Sequence, residues 1–589
     1  MIERMGMATM RQLAAATGME KEHVKDAIMR LDRSLKIIRA FNEREDWGTE
    51  NYYSAYKPDP PVDDAVATLT KRAIRAYGPL PLAGMRFLVD APLDVIEQAA
   101  ADVGAVTISV GEGQTPMLVM KDEVPLIGKC KQEEPPVNLV SLSDPDIASK
   151  WAEVNARYGD RWIFPLVRGN TLVGGAELWE MSGCVEIRSL DMDSPDLIDE
   201  VLDAIDRAMG FFRMKGIDVV RIREVLNTDA ADLEGHIEES LRDHGYIFTN
   251  GFYAKGDIID WCIGEQDLIA YVMTKQRVSK NTRYATVQDV VSERGYIRGD
   301  QEIMTRVNDR TTMKKQMEKG GLVHMVLSPP FQGYTDMEHA SIFRSEKGYA
   351  PEGEALEVLN IIRSRQPISK KSLIENSPYS ADRTTDLLSE LYKQSILYID
   401  SDSNYCEVPR IDMGHWEAVK YVVKMHFRDF GIFSAEELSQ FVSVKMGSLR
   451  TVLRDLVEEG FLVKGFFLKD DPTLRWMLKE DLGSKHWRFS ESFVLNSQDN
   501  LHLYLRGYIK KEVGSSKSVI MMGTRVIGSF KGKVCASGAK VEEFEGSERA
   551  ERVLKETAQS VGARLDTQRQ REDDDWDVSE FYVKFNPGA

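Results

Sequence analysis

The chain contains an internal repeat, and this repeat constrains the fold more than any other feature of the sequence. Three anchors carry it: Tyr77-Gly78 aligns with Phe430-Gly431 and Asp146 with Asp499 at an offset of 353, and Gly174 with Gly528 at an offset of 354. Anchors that agree within one residue over about 100 positions indicate a duplication, so the two copies are expected to share one architecture.

Each copy begins with helix-rich segments that end in a pair of short strands. In the clearest of them, residues 416–480, Ser434 and Glu437 form a capping-box pattern, which marks a helix start. Gly460 is placed to end the following helix in a left-handed conformation. Two strand-like runs follow, at 461–468 and 474–479. The order helix, helix, hairpin predicts a winged helix.

The same order recurs upstream, so the sequence predicts four winged helices and, after each pair, a β-rich module with a hairpin turn and an amphipathic helix. The predicted class is α+β, with tandem winged-helix modules and two β-rich modules, internally duplicated. The predicted segments are winged helices at 1–60, 61–136, 351–410 and 411–485, β-rich modules at 137–256 and 486–589, and an intervening basic segment at 257–350.

Composition describes a folded protein that remains in the cell. The chain has 589 residues, of which 42% are hydrophobic and 29% charged, which requires several domains. The sequence lacks a signal-peptide pattern and any run long enough to span a bilayer, so we expect no membrane association and a cytoplasmic, nucleoid-associated location. Five scattered cysteines predict reduced thiols, with no metal site and no cofactor: Cys130, Cys184, Cys262, Cys406 and Cys535.

The module order, together with the run PLVRGNTLVG at 165–174, resembles the winged-helix DNA glycosylases that excise alkylated and interstrand-crosslinked bases. It equally resembles the related C-terminal region of the large helicase-related (Lhr) helicases, whose closing segment is similar to residues 218–256. The sequence has no Gly-x-x-x-x-Gly-Lys-Ser/Thr loop, so it lacks the phosphate cradle of a helicase motor.

The resemblance to the glycosylases implies a catalytic position. Their signature, Gln-x-Asp or Gln-x-Gln, aligns with Arg298-Gly299-Asp300, so the carboxylate is present and the glutamine is replaced by arginine. Cleavage of an N-glycosidic bond builds positive charge on the sugar, which a carboxylate stabilises while it takes a proton from water. Asp300, beside Arg298, is therefore the candidate catalytic residue. The alternative is that Gly299-Asp300 is only a turn at a helix end.

The segment 271–319 reverses the charge of the chain. The whole chain has a net charge of -18, whereas this stretch has eleven basic and six acidic residues and a net charge of +5. Phosphate contacts require such a local patch, with Tyr284 and Tyr296 as stacking candidates. The candidate DNA contacts here are Lys275, Arg277, Lys280, Arg283, Arg306, Arg310, Lys314 and Lys315. A solvated charged face is the alternative.

The two copies differ in the helix expected to recognise DNA. The second copy has Lys445, Arg450 and Arg454 there, which are further candidate DNA contacts, whereas the matching helix at 93–104 has acids: Asp94, Glu97 and Asp102. Acids repel phosphate. The first copy is therefore expected to serve as a scaffold or to bind a helicase or another repair protein.

Three functions remain open at this stage. The first is a monofunctional DNA glycosylase, or a diverged relative, that hydrolyses the N-glycosidic bond of damaged bases in DNA repair. The second is a non-catalytic DNA-binding platform that acts beside a separately encoded helicase. The third is a transcription regulator. Loss of the signature glutamine favours the second function, but the sequence as a whole predicts the first, a diverged glycosylase-like protein of DNA repair, with the other two as alternatives.

Overall fold

A computed structural model describes most of residues 2–565. The residues outside the described set are 1, 6, 35, 42–50, 57–63, 87, 110–115, 128, 130–134, 143, 145–146, 148–149, 170, 182, 227–230, 329–330, 484–486, 515, 564 and 566–589. The fold is mixed α+β with several small sheets, as the sequence predicted. The repeat anchor Asp146 and the thiol Cys130 lie outside the described residues.

The chain begins with two small modules that each combine short helices with a three-stranded sheet, which we call helix–hairpin modules. The first contains α1 (Ile2–Met5), β1 (Met7–Thr9), α2 (Met10–Thr17), α3 (Lys21–Arg33), β2 (Ile37–Phe41) and β3 (Asn51–Ala55), with strand order β1-β3-β2. The second contains α4 (Ala65–Tyr77), β4 (Leu80–Pro81), α5 (Leu82–Met85), α6 (Leu93–Asp102), β5 (Ala105–Ile108), β6 (Met117–Met120) and α7 (Val124–Ile127), with strand order β4-β6-β5.

A seven-stranded sheet with one long amphipathic helix follows. Its elements are β7 (Val137–Leu139), α8 (Trp151–Tyr158), β8 (Phe164–Arg168), β9 (Thr171–Glu180), β10 (Cys184–Met192), α9 (Ile198–Met214), β11 (Val219–Ile222), α10 (Ala231–Asp243), β12 (Ile247–Thr249) and β13 (Phe252–Lys255). The strand order is β12-β13-β11-β10-β9-β8-β7. Val201, Ile205 and Met209 of α9 share one buried core with the sheet, which accounts for their helical spacing.

The basic segment is mainly helical and leads into a third helix–hairpin module. Its elements are α11 (Glu265–Lys275), α12 (Val287–Arg294), α13 (Asp300–Arg306), α14 (Met313–Glu318), β14 (Val323–Ser328), β15 (Phe331–Thr335) and α15 (Met337–Lys347). The module contains α16 (Gly353–Arg365), α17 (Lys370–Asn376), α18 (Ala381–Lys393), β16 (Leu397–Ile399) and β17 (Tyr405–Glu407). The four strands pair in the order β15-β14-β16-β17.

The fourth helix–hairpin module and a four-stranded sheet complete the described chain. The module contains α19 (His415–Phe430), β18 (Ile432–Phe433), α20 (Ala435–Ser439), α21 (Met446–Glu458), β19 (Leu462–Gly465) and β20 (Arg475–Leu478), with strand order β18-β20-β19. The last elements are β21 (Ser492–Leu495), α22 (Asn500–Tyr504), α23 (Arg506–Val513), β22 (Ser518–Met522), β23 (Arg525–Cys535), β24 (Gly538–Gly546) and α24 (Glu548–Gln559), with strand order β21-β22-β23-β24. The capping box of Ser434 with Glu437 and the left-handed Gly460 are confirmed.

Corresponding strands of the two sheets reproduce the repeat. Strands β8, β9 and β10 begin at residues 164, 171 and 184, and β22, β23 and β24 begin at 518, 525 and 538. Gly174 pairs with Leu166 beside a register shift, and Gly528 pairs with Ile520 beside an equivalent shift. The glycine anchors of the repeat therefore occupy the same structural position in both sheets.

The chain divides into two compact units. The first contains Met1–Ile263, Ile432–Gln440 and Val444–Gly483, and the second contains Gly264–Gly431, Phe441–Ser443 and Ser484–Ala589. Helix α19 thus belongs to the second unit, whereas α20, α21 and their hairpin belong to the first. These units are coarser than the seven segments expected from the sequence, whose individual boundaries remain predictions.

The described residues also define some chemical properties of the chain. None of the helices in the described part combines the length and apolar character needed to cross a lipid bilayer. Within the same part, no group of three His, Cys, Asp or Glu side chains is placed to hold a metal ion. The four described cysteines, Cys184, Cys262, Cys406 and Cys535, have free thiols.

Candidate nucleic-acid interface

The basic segment is a set of short helices held together by one apolar core. Val287, Val290 and Val291 of α12 pack with Ile297 and Ile303 in this core. Helix α12 starts at a capping box in which Thr286 and Asp289 exchange hydrogen bonds, and it ends at the left-handed Gly295. These local signals fix both ends of α12, and the loop before it contains Arg277, Lys280 and Arg283.

Three of the predicted lysine contacts lie on the surface of the second compact unit. Lys280 is exposed in the loop after α11, and Lys314 and Lys315 are exposed in the first turns of α14. Helix α14 buries Met313 and Gln316, which directs the two lysines between them toward solvent. All three lysine side chains therefore lie at the protein surface.

Two predicted contacts lie against tyrosine rings. Arg277 is half-buried, pairs with Glu293 at 2.6 Å, and places its guanidinium 4.6 Å from the centre of the Tyr284 ring. The ammonium of Lys275 lies 6.0 Å from the ring centre of Tyr271. Tyr284 is only 5% exposed, so the expectation that it stacks on a base is wrong: its ring is part of the apolar core.

The second stacking candidate, Tyr296, is also buried. It is 4% exposed, and its hydroxyl accepts a hydrogen bond from the Asn500 side-chain amide at 2.8 Å. Burial raises its pKa well above the ordinary value. The expectation that Tyr296 stacks on a base is therefore also wrong, because the ring is enclosed within the protein.

The structure does not support the expectation that Arg306 contacts DNA. Its side chain is completely buried, and its guanidinium pairs with Asp499, which is equally buried, at 2.7 Å. The same guanidinium donates to the Gln276 side-chain oxygen at 2.7 Å, and Asp499 also accepts a hydrogen bond from the Thr305 hydroxyl. Arg306 is thus an internal structural cation, because its hydrogen-bonding groups are directed into the protein rather than toward DNA.

Gln276 links this pair to a second buried ion pair. Its side-chain oxygen also accepts from Arg294 at 3.2 Å, and its amide nitrogen donates to the backbone oxygen of Asp429 at 2.8 Å. Arg294 in turn pairs with the carboxylate of Asp429 at 2.6 Å. We call the six connected residues the buried polar network: Gln276, Arg294, Thr305, Arg306, Asp429 and Asp499. Sequence reasoning missed it, although Asp499 was already marked as a repeat anchor.

Asp300 lies at the first position of α13, and its carboxylate has a structural partner. It is half-buried, and its Oδ1 accepts the backbone N–H of Met313 at 2.7 Å, the first residue of α14. Its backbone oxygen accepts the N–H of Ala536 at 3.2 Å. Burial and the nearby Asp300 charge raise the pKa of Tyr334 to about 12. Asp300 therefore joins the starts of two helices.

Arg298 is directed to different partners. Its guanidinium lies 4.4 Å from the ring centre of Phe331, and Nη1 donates to the Asn500 side-chain oxygen at 3.3 Å. Its backbone N–H donates to Glu302 at 2.9 Å. The contacts of Arg298 and Asp300 thus differ, and they do not show the paired arrangement that would hold a water molecule between the two side chains.

A cavity lies beside β23 in the second unit. Its volume is about 320 Å³, and its lining residues do not include Asp300. The lining residues are Ser497, Ser516, Lys517, Ser518, Phe530, Lys531 and Gly532. A flipped base would require an enclosing pocket at the reactive carboxylate, and this cavity does not supply one.

The predicted contacts on α21 lie in the first compact unit. Lys445 is exposed at the start of the helix. Arg450 pairs with Glu180 at 3.3 Å and is only 13% exposed, so it is held inside the unit rather than presented to DNA. Arg454 is partly exposed and lies 3.8 Å from Glu458. Burial alone raises the pKa of Glu180, but Lys215 and Arg450 outweigh it and hold that pKa below its ordinary value.

Comparisons with known proteins give similarity in structure but not in sequence. No protein-family model matches the chain, and no curated protein matches it in sequence. Among solved structures, the chain is similar to the Streptomyces sahachiroi DNA glycosylase AlkZ, with a TM-score of 0.38 and 14% sequence identity. The aligned region covers 51% of this chain and 98% of the AlkZ chain.

Proposed function

We propose that this chain is a DNA-binding platform built from winged helices, and that it contacts the DNA backbone through the basic segment of its second compact unit. The observation that carries the proposal is the exposure of Lys280, Lys314 and Lys315 in a segment whose charge opposes that of the whole chain. Lysines on short helices and loops contact phosphates without reading base sequence. We therefore expect binding that tolerates many sequences.

The platform acts without cleaving a glycosidic bond. Asp300 uses Oδ1 to hold the start of α14, and Arg298 is directed to Phe331 and Asn500. These contacts support structural roles for both residues of the signature-like motif. A platform of this kind can act together with a separately encoded helicase. We assign the acidic surface of α6, with exposed Asp94, Glu97 and Asp102, to a protein partner.

Salt dependence tests the binding proposal. We expect the full chain to bind duplex or branched DNA with an affinity that falls steeply as salt increases, since each neutralised phosphate contributes about 0.9 to the slope of log K against log salt. The double variant Lys314→Ala/Lys315→Ala is expected to lower the affinity about tenfold and to reduce the slope by about 1 to 2. Fluorescence anisotropy at several salt concentrations measures both quantities.

A matched control separates specific contacts from net charge. Lys370 and Lys371 are also adjacent exposed lysines in the first turn of a short helix, α17, in the same compact unit. Lys370→Ala/Lys371→Ala removes the same charge and is expected to change the slope less. Equal losses from the two variants would contradict the assigned surface. A wild-type chain that binds no DNA at low salt would contradict the proposed function itself.

A glycosylase is the second candidate, and the half-buried Asp300 carboxylate is the observation that supports it. Single-turnover assays on duplexes with uracil, an alkylated purine or an interstrand crosslink distinguish the two functions. The platform predicts no base release from wild type. Asp300→Asn keeps an oxygen for the Met313 N–H, and Asp309→Asn is a control on the following loop. Release that only Asp300→Asn abolishes, with DNA binding intact, would establish the glycosylase instead.

A further inference from the structure

Arg283 and Arg310 lie on two stretches of the basic segment that pair through a β-bridge between Tyr284 and Val307. Each arginine is fixed by a main-chain carbonyl group. Arg283 is half-buried, and its Nε donates to the backbone oxygen of Val278 at 3.1 Å. Arg310 is also half-buried, and its Nη1 donates to the backbone oxygen of Ile303 at 2.9 Å. These hydrogen bonds anchor both guanidinium groups while leaving most of their N–H donors for another acceptor.

Neither arginine has a carboxylate within ion-pair distance among the residues that the structure describes. Glu491 acts on Arg283 from a greater distance, and its own oxygens accept the Ser279 hydroxyl and, at 3.0 Å, the backbone N–H of Lys280. Burial, and then the like charge of Arg310, lower the pKa of Arg283 to about 10. Burial also lowers the pKa of Arg310. Within the described part of the chain, the positive charge of the two guanidinium groups is therefore not balanced by an ion pair.

The two buried arginines of the segment, by contrast, each have a carboxylate partner. Arg294 pairs with Asp429, and Arg306 pairs with Asp499, both within 2.7 Å. A half-buried guanidinium without a counter-charge is costly, because desolvation and like-charge repulsion both oppose it. An oxyanion that bridges the two groups would remove both penalties. Phosphate suits this role, because two guanidinium forks can donate to its several oxygens.

We propose that Arg283 and Arg310 together bind one phosphate oxyanion. The proposed DNA function supplies it as a backbone phosphodiester, and in that form the inference rests on that function; free phosphate is the other source. Exposed Lys280, whose backbone N–H is fixed by Glu491, extends the positive surface beside the pair. The site is non-catalytic and fixes one backbone position of the bound strand.

The first arm of the test uses inorganic phosphate and no DNA. We expect phosphate to raise the midpoint of thermal unfolding of the full chain by about 2 °C relative to chloride at equal ionic strength, because a ligand of the folded state stabilises it. Arg283→Met/Arg310→Met should abolish this increase. The control Arg363→Met/Arg383→Met removes two exposed arginines that pair with Glu407 and Glu354 and should retain it.

A single variant adds a readout that a purely structural role would not produce. Arg310→Met keeps an apolar stem beside Met304, and the Ile303 oxygen still accepts the Val307 N–H. Because the change removes like-charge repulsion, we expect the midpoint without phosphate to stay unchanged or to rise. A clear fall in that midpoint, or a phosphate response equal to that of wild type in the double variant, would overturn the proposal.

The second arm identifies the source of the phosphate. If both arginines hold the same backbone phosphate, the double variant should reduce the salt slope of DNA binding by about 0.9 and lower the affinity about tenfold. A decrease of about 1.8 would mean two separate phosphates and would overturn the shared site. If the phosphate response is present but the double variant binds DNA like wild type, the site takes free phosphate. If wild type does not bind DNA, the proposed function fails while the phosphate site stands.

Discussion

Arg306→Met is expected to lower the free energy of unfolding of the second compact unit by about 3–5 kcal/mol, since a buried charge is left without its partner. Asp499 would remain completely buried with the Thr305 hydroxyl and the Leu501 N–H as hydrogen-bond donors but without its cation. Gln276 would lose one of the two guanidinium donors that it accepts from. Chemical denaturation monitored by tryptophan fluorescence measures the effect.

The variant that removes both charges is the control. Arg306→Met/Asp499→Leu leaves no unpaired buried charge, so it should recover a substantial part of the stability lost in Arg306→Met. Arg363→Met, which breaks a surface pair with Glu407, is expected to change stability by about 1 kcal/mol or less. If Arg306→Met is no more destabilising than Arg363→Met, the buried polar network does not support the fold as described.

The ion pair between Arg306 and Asp499 makes the stability of the fold depend on pH, and the lowered pKa of Asp499 gives the direction of this dependence. Burial by itself raises the pKa of Asp499, but the charge and hydrogen bonds of Arg306 outweigh it and hold that pKa below its ordinary value. A lowered pKa in the folded state contributes stability above the unfolded value of about 4, and this stability is lost as the pH falls through the folded value. Wild type should therefore lose more stability than Asp499→Asn between neutral pH and about pH 3. Parallel losses would contradict this assignment.

Gly174→Ala is expected to destabilise the first compact unit by about 3 kcal/mol, because strands β9 and β10 would have to separate. A Cβ atom at this position would lie 2.2 Å from the backbone oxygen of Asp191, and the backbone cannot rotate away as a side chain can. Gly174 also lies beside the register shift in the β8–β9 pairing, where any displacement would disturb both neighbours. Thermal unfolding measured by circular dichroism tests this prediction.

Gly210→Ala in α9 is the matched control. A Cβ atom on Gly210 would meet no atom within 4 Å, and the residue is exposed in a helix interior, so alanine should stabilise the unit by about 0.5–1 kcal/mol. Gly528→Ala should behave like Gly174→Ala in the second unit, because its Cβ would lie 2.8 Å from that of Ala550 and 3.0 Å from the Glu545 oxygen. If Gly174→Ala is tolerated as well as Gly210→Ala, close strand approach does not explain the repeated glycine.

Helices and hairpins could be predicted from the sequence, because residues close together in the chain determine them. Thr384, Leu387, Leu388 and Leu391 are spaced in the sequence as on one face of a helix, and α18 buries these residues. Gly523-Thr524 has the residue types of a tight turn, and β22 and β23 flank it. Capping boxes, left-handed glycines and apolar periods act within a few residues, so they can be recognised without knowledge of the tertiary fold.

The candidate site could be predicted only in part from the sequence, because basic residues serve both as exposed surface charges and as members of internal ion pairs. Lys314 and Lys315 are exposed as expected, and α14 shows why, since its buried Met313 and Gln316 flank them. Arg306 and Arg450 are equally basic in the sequence, yet each is held in an internal ion pair. The +5 charge of residues 271–319 counts all arginines alike and so overstates the positive charge that is free to meet DNA.

The sequence by itself therefore determined the duplication, the class of the fold and the position of several helices and hairpins. Tertiary structure decided which charges are neutralised. Arg306 meets Asp499 across 193 positions and Arg450 meets Glu180 across 270. Arg283 and Arg310, by contrast, lie on paired backbone stretches and form no ion pair with a carboxylate among the described residues. Pairing at such separations depends on how the elements pack, and no local pattern distinguishes an arginine that will be buried from one that will face solvent.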